Sequence, residues 1–330
     1  MNTLCNALWK KNKVLVRLSL AFEAGLSKPI GPVAVLHPEV GFDIAGLTET
    51  LIVQPFFLTN RAWENQGFAC DVSLPNRRFS LAIVCCTRSK QQTADLIAQA
   101  AAQADMVIVD GQKTDGIDSH YRNLRKLTNV QGTITKAHGR LFWFSGMNLP
   151  TLRAVDQNFD GFVTKPGVFS AGAVDSASAL LAGALPEHLS GDIADLGAGW
   201  GYLSSCIMSR EAVTKLDLVE ADSVSLDCAK QNVSDPRASF FWADATVWNG
   251  SYDAVVMNPP FHTSRMGDPE LGRAFIAGAK RCLKTKGSLY LVANRHLPYE
   301  TALEQCFAKV LELPGDGRFK LFHASRPKRK

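Results

Sequence analysis

Short runs of apolar residues, separated by stretches of helical period, recur along the second half of the chain: "DIADLG" (192–197), "KLDLVEAD" (215–222), "YDAVVMN" (252–258) and "GSLYLVAN" (287–294). Apolar runs that are continuous rather than alternating predict strands buried on both faces, as in a parallel sheet covered by helices. Strand, helix, strand is the rhythm of an α/β fold. The first half has the same rhythm in "PVAVLH" (32–37), "TLIVQPF" (50–56), "FSLAIVCC" (79–86) and "DMVIVDG" (105–111). A helix is predicted over "SKQQTADLIAQAAAQ" (89–103), and a closing hairpin over "VQGTITKAHGRLFWFSG" (130–146).

Aligned by place in the pattern, "FSLAIVCCTR" falls against "YDAVVMNPPF", and "LHPEVG" (36–41) occupies the slot of "LGAGWG" (196–201) without most of its glycines. This predicts an internal duplication in which one copy kept a chemistry and the other kept the fold; the alternative is two unrelated α/β domains. With 330 residues, two domains fit the usual domain size of roughly 100–200 residues. The boundary is placed in "SGMNLPTLRAVDQNFDGF", giving domains over 1–150 and 151–330.

Composition narrows the class. An apolar share of 46% without any uninterrupted apolar stretch of membrane-spanning length predicts no membrane role. Lys10, Lys11, Lys13 and Arg17 could imitate a targeting segment, but "VLVRLSLAF" is cut by Arg17 and lacks a small-residue cleavage site, so it is read as the start of the fold. The eight cysteines form no Cys-x-x-Cys pair, which predicts reduced thiols, a cytoplasmic location, and neither a zinc site nor a disulfide framework. A net charge of +5 says little by itself, but "SRPKRK" (325–330) and "KRCLKTKG" (280–287) gather cations suited to phosphates; the plain reading of the first is a solvated tail.

The candidate chemistry follows the strands of the second half. "DLGAGWG", headed by Asp195, carries Gly197, Ala198, Gly199 and Gly201 at a strand-to-helix turn, where glycines permit positive φ and close approach of a ligand to the backbone. Its Gly-x-Gly-x-Gly spacing departs from the dinucleotide pattern. The next strand ends in Glu220-Ala221, and an acid there accepts hydrogen bonds from ribose hydroxyls. After a third strand, Asp244 is placed to accept from an adenine amino group and Ala245 to offer its backbone N–H.

Loop, ribose acid and adenine acid in that order resemble the class I S-adenosylmethionine-dependent methyltransferases. The resemblance implies two tandem Rossmann-like folds with seven-stranded, mainly parallel sheets, the N-terminal one degenerate and serving to bind or position RNA. Asn258-Pro259-Pro260-Phe261 is similar to the signature of transferases acting on a planar nitrogen. There the Asn258 side-chain oxygen and the Pro259 carbonyl would accept the two N–H bonds of the amine, the prolines would stiffen the turn, and Phe261 would stack on a base. "KPGVFSAGAVDSASALLAGAL" (165–185), "NPPFH" and "KAHGRLFWF" (136–144) resemble the ribosomal RNA guanine-N2 methyltransferase group. By that resemblance Phe169 would line the cofactor pocket and Asp175 would hold the loop or the methionine amine. His262 would contact the base or assist the proton, and Arg265 would meet a phosphate.

The implied activity is transfer of a methyl group from S-adenosylmethionine to guanine N2 of ribosomal RNA, most simply of the small subunit, releasing S-adenosylhomocysteine without a metal. The implied partner is ribosomal RNA or a ribosomal subunit, and a monomer is expected. The alternatives are a protein glutamine amide or adenine N6 as acceptor, or a non-catalytic RNA-binding assembly factor. Trp200 inside the loop, and "TSRMGDPELG" after "NPPFH", depart from the family pattern.

Overall fold

The computed structural model describes residues 17–260 and 269–329. The chain divides into two compact units, Met1–Val155 and Asp156–Lys330. In the first, β1 (Val33–Leu36), β2 (Thr50–Val53), β3 (Ala69–Asp71), β4 (Phe79–Cys85), β5 (Ala104–Gln112), β6 (Gly132–Lys136) and β7 (Gly139–Ser145) form one sheet in the order β3-β2-β1-β4-β5-β7-β6. β1 to β5 pair in parallel, and only β7 and β6 run against their neighbours. In the second unit a hairpin of β8 (Gln157–Phe159) and β9 (Phe162–Thr164) precedes β10 (Gly191–Leu196), β11 (Val213–Glu220), β12 (Ala238–Trp242), β13 (Tyr252–Met257), β14 (Leu283–Asn294), β15 (Phe307–Leu313) and β16 (Phe319–Pro327). Their order, β12-β11-β10-β13-β14-β16-β15, repeats the first sheet strand for strand.

The repeated rhythm of the sequence therefore corresponds to a repeated topology. Successive residues of a strand face opposite sides, so Val33, Val35 and Ile83 enter one apolar cluster of the first unit while Ala34, Leu36 and Val84 enter the other. In the second unit Ile193 and Val256 face one cluster, and Ala194 and Val255 the opposite one. Helices cover both faces. Lys90–Gln103 begins where the Ser89 hydroxyl accepts the Gln92 N–H at 3.2 Å, and it buries Leu96, Ile97 and Ala100. Each fully buried leucine or isoleucine contributes roughly 1.5–3 kcal/mol, which outweighs any preference of a single exposed position.

Three features differ from the sequence expectation. Ala69–Asp71 is a strand although it is short, partly exposed and ends in a carboxylate, traits of a sheet edge. The closing hairpin β15–β16 has no counterpart in the sequence expectation, because "FAKVLEL" shows neither a continuous apolar run nor a strict alternation and is mostly exposed. The basic C-terminus is correspondingly not a solvated tail over 325–328: Ser325 pairs with Ser288 and Lys309, and the Lys328 N–H donates to the Cys306 carbonyl at 2.8 Å. In the other cationic stretch, Lys284 is bound to Asp253 at 2.8 Å and to Asp192 at 3.4 Å, so part of its charge is already neutralised.

Among the described residues no helix is long and apolar enough to cross a membrane, and no group of His, Cys, Asp and Glu is arranged to hold a metal ion.

Candidate active site

In a doubly wound sheet ligands bind beyond the carboxyl ends of the strands, where the strand order reverses. In the second unit that point lies between β10 and β13. The loop leaving β10 has Gly197 at φ 79°, Gly199 at φ 56° and Gly201 at φ 91°, a left-handed path that other residues enter at a cost. The Gly197 and Ala198 N–H groups donate to the Val219 carbonyl at 2.8 and 3.2 Å, pinning the loop to β11. At Gly199 a Cβ would meet nothing within 4 Å, so the loop's crest faces open space. At Gly201 a Cβ would lie 3.1 Å from Val233 and 3.2 Å from Ala229, so that glycine serves packing.

Trp200, which looked out of place in the loop, is 4% exposed. Its ring packs on Phe162 at 5.2 Å and on Phe159 at 5.7 Å, and its Nε1–H donates to the Phe169 carbonyl at 2.9 Å. The indole is thus the staple between the loop and the segment before the helix Ser176–Ala184. Asn232 completes the brace, its Nδ2 donating to the Trp200 and Val163 carbonyls and its Oδ1 accepting the Val163 N–H.

At the tip of β13 the Asn258 side chain is held by two groups of that helix. Its Nδ2 donates to Asp175 Oδ2 at 3.0 Å and to Ser178 Oγ at 2.9 Å. Asp175 also caps the helix, accepting the Ser178 N–H at 2.8 Å. A carboxylate only accepts, so the amide nitrogen must face it and the oxygen must face away. Asn258 Oδ1 is buried without a hydrogen-bond partner, and an acceptor left in that condition costs about 1–3 kcal/mol. Pro259 follows buried and Pro260 exposed, and neither has a backbone N–H to offer that oxygen.

Glu220 stands at the end of β11 between two backbone donors: Gly199 N–H reaches Oε2 at 2.8 Å and Asp222 N–H reaches Oε1 at 2.8 Å. Burial pushes its carboxyl up to about 7, against those hydrogen bonds, which favour the charged form. Ala221 accepts the Trp242 Nε1–H at 2.9 Å. Asp244 Oδ1 accepts from the Thr246 N–H at 2.8 Å and the Thr246 hydroxyl at 2.6 Å, and Ala245 is buried beside it. Asp195 is fully buried beneath the loop, where Ser204 Oγ donates to Oδ2 at 2.6 Å and burial pushes the carboxyl up to about 7. Phe169 is 58% exposed. Phe261, His262 and Arg265 lie outside the described residues, as do Lys10, Lys11 and Lys13.

Residues 160–323 match the family model of the methyltransferase small domain. The chain belongs to the methyltransferase small domain family. Among relatives of this methyltransferase, the protein from Psychromonas ingrahamii named ribosomal RNA small subunit methyltransferase C is 27% identical over 262 residues, which cover 74% of this chain and 75% of the relative. Its namesake from Erwinia tasmaniensis is 33% identical over 167 residues, 49% of this chain and 48% of the relative. The solved structure of the T. thermophilus 16S rRNA N2 G1207 methyltransferase, in complex with AdoMet and guanosine, superposes with a TM-score of 0.78 over 96% of this chain and 92% of that one, at 23% identity. That likeness establishes the tandem fold of this methyltransferase along nearly its whole length.

Sequence reasoning missed Ser178 and Asn232. A serine three residues after a helix-capping Asp175 was the available signal for the first, since the first turn of a capped helix presents its side chains near the cap. Nothing local marks Asn232, whose partners lie 32 and 69 residues away in the methyltransferase domain.

Proposed function

We propose that the protein is an S-adenosylmethionine-dependent methyltransferase acting on the exocyclic N2 amine of a guanine in small-subunit ribosomal RNA. The observation that carries this reading is the Asn258 carboxamide, oriented by Asp175 and Ser178 so that a buried, unpartnered oxygen remains for an N–H donor. An exocyclic amine is a weak nucleophile because its lone pair is delocalised into the ring. An acceptor at Asn258 Oδ1, together with the Pro259 carbonyl, holds both N–H bonds and favours a pyramidal nitrogen whose lone pair is directed at the methyl donor. S-adenosylmethionine supplies a methyl group on a positively charged sulfur. The residues present fit it: Gly197 to Gly201 for the amino-acid part, Glu220 for the ribose hydroxyls, Asp244 and Ala245 for the adenine, with Asp195 supporting the loop from below.

No strong base is needed, because the amine becomes acidic only as the N–C bond forms. The acceleration would come from alignment, with nitrogen and methyl carbon held about 3–3.5 Å apart. The target guanine would have to be unpaired or flipped from its stack to reach such a pocket. The first unit, whose corresponding loop lacks the glycine pattern, would bind and position the RNA.

The names and substrates of the relatives support the choice of ribosomal RNA over a protein amide. Incubating the protein with methyl-labelled cofactor and separated ribosomal RNAs, then digesting to nucleosides, is expected to yield labelled N2-methylguanosine from the small-subunit RNA. Label in protein, in adenosine, or in no acceptor at all would overturn the reading.

A further inference from the structure

The helix Ile117–Leu127 of the first unit has one buried side, formed by Ile117, His120 and Leu124. On its outer side Ser119, Arg122, Asn123 and Lys126 follow one another at helical spacing, and with Arg125 they line a shallow depression of about 430 Å³. Every side chain there donates hydrogen bonds, and none is acidic. Asp118, the acid of this helix, is partly exposed and is bound by Arg140 at 2.7 Å. Arg140 in turn lies over the Tyr121 ring at 4.3 Å, with Arg125 over the same ring at 5.7 Å. Among the described residues no acid is paired with Arg122, Arg125 or Lys126. Arg125 and Lys126 stand in the last turn, where the helix dipole favours cations, but Arg122 lies before it and, one turn from Lys126, repels that residue.

The second unit supplies the contrast. The helix Glu300–Cys306 also follows the fifth strand of its sheet, yet it carries Glu300 and Glu304 and no cation. The same place in a duplicated fold is acidic in one copy and basic in the other.

We infer that the outer face of the helix Ile117–Leu127 is a docking surface for the phosphate backbone of the substrate RNA. This rests on the proposed action on ribosomal RNA. Arginine and lysine one turn apart, with serine and asparagine between them, suit phosphate oxygens rather than base edges, so the surface positions the RNA without reading its sequence. Each phosphate neutralised releases a counterion, which gives the contact a measurable dependence on salt.

The test uses the full chain with Arg122→Glu and Lys126→Glu combined, and the milder Arg122→Gln with Lys126→Gln. Binding of a small-subunit RNA fragment is followed against salt, alongside methylation kinetics. The expected result is a KM for RNA raised on the order of 10–100-fold by charge reversal and less by the neutral pair, with kcat and cofactor affinity unchanged. The slope of log affinity against log salt should be shallower by about 1.4–1.8, the value for two phosphate contacts. Unchanged KM and slope would overturn the inference, as would a loss confined to assembled subunits with naked RNA bound normally, which would assign the face to a ribosomal protein. If the unmodified protein methylates no RNA, the proposed function fails. The surface still stands in that case if RNA binding keeps its salt slope and the variants lose it.

Discussion

The two units share a strand order but end their strands differently. The pairing registers set Leu36 against Leu196, Gln54 against Glu220, Cys85 against Asn258 and Asp110 against Val292. In both, the backbone leaving the first central strand is pinned to its neighbour, by His37 N–H to Val53 and by Gly197 N–H to Val219, each at 2.8 Å. Beyond that point they diverge. In the first unit the Pro38 carbonyl is claimed by Gln54 Nε2 at 3.1 Å and Trp63 Nε1 at 3.2 Å, and His37 adopts φ 55° with its ring driven neutral by burial, its pKa lowered to about 4. The second unit keeps open space at Gly199 and a spare acceptor at Asn258. At these matched positions the first unit spends its polar groups on itself, and the second leaves an acceptor without a partner.

The helix preceding the first central strand shows the same division. In the first unit Arg17, 1% exposed, binds Asp110 through Nε at 2.6 Å and Nη2 at 2.9 Å; in the second, Asp175 and Ser178 hold Asn258. The largest expected effect comes from breaking the closed version. Arg17→Met leaves the Asp110 charge buried alone and should destabilise the protein by about 3–5 kcal/mol in denaturant unfolding. Adding Asp110→Val, which copies the second unit's Val292, should recover most of the loss. If the single and double variants were equally unstable, the pair would not be the element that closes the first unit.

The open version is probed by Asn258→Ala, expected to lower single-turnover methyl transfer on the order of 10²–10³-fold, a range typical of removing one positioned polar group from an active site. Cofactor affinity should stay within about threefold, and Cys85→Ala, at the matching place, should leave the rate alone. A smaller loss, on the order of 10-fold, is expected of Ser178→Ala, since Asp175 still fixes one amide hydrogen. The loss should appear in kcat with KM unchanged. Ser178→Thr, which keeps the hydroxyl, should restore the rate; failure to restore it would make Ser178 a packing residue.

How much of this was legible in the sequence follows from the range of each interaction. Apolar runs such as "LAIVCC" and "DAVVMN" report burial directly, because a strand covered on both faces has no polar side to show. The glycine loop and the Asn-Pro-Pro turn are also local, since their backbone demands fall on consecutive residues. β15 carries no continuous apolar run because much of it faces water, and the charge at Arg326 stands inside a strand that extends to Pro327. The clamp on Asn258 spans 83 residues to Asp175 and 80 to Ser178, so no window of sequence contains it. Trp200 was misleading for a related reason: the aromatic residues that receive it belong to the hairpin some 40 residues earlier.

The gentlest probe of the comparison is pH, because Gln54 has no charge to titrate where Glu220 does. Burial raises the Glu220 carboxyl from 4.5 to about 7 in the free protein. Raised above its unfolded value, the group contributes stability at low pH that is lost as pH climbs through about 7, so the free protein should weaken across that interval. Cofactor binding should run the other way. If Glu220 holds the ribose as proposed, its hydroxyls would donate to the ionised carboxylate, so affinity should rise with pH, by at most about tenfold per unit below the raised pKa, and level off above it. Calorimetric titration of S-adenosylmethionine between pH 5.5 and 8.5, at about half-unit steps fine enough to resolve a single ionisation, should show one bound molecule per chain and this single rise. Glu220→Gln, which gives the second unit the residue the first already has, should flatten the profile. A rise that survived the substitution would belong to Asp195, also raised to about 7 beneath the loop, and a second bound molecule would mean that the first unit's loop is not closed.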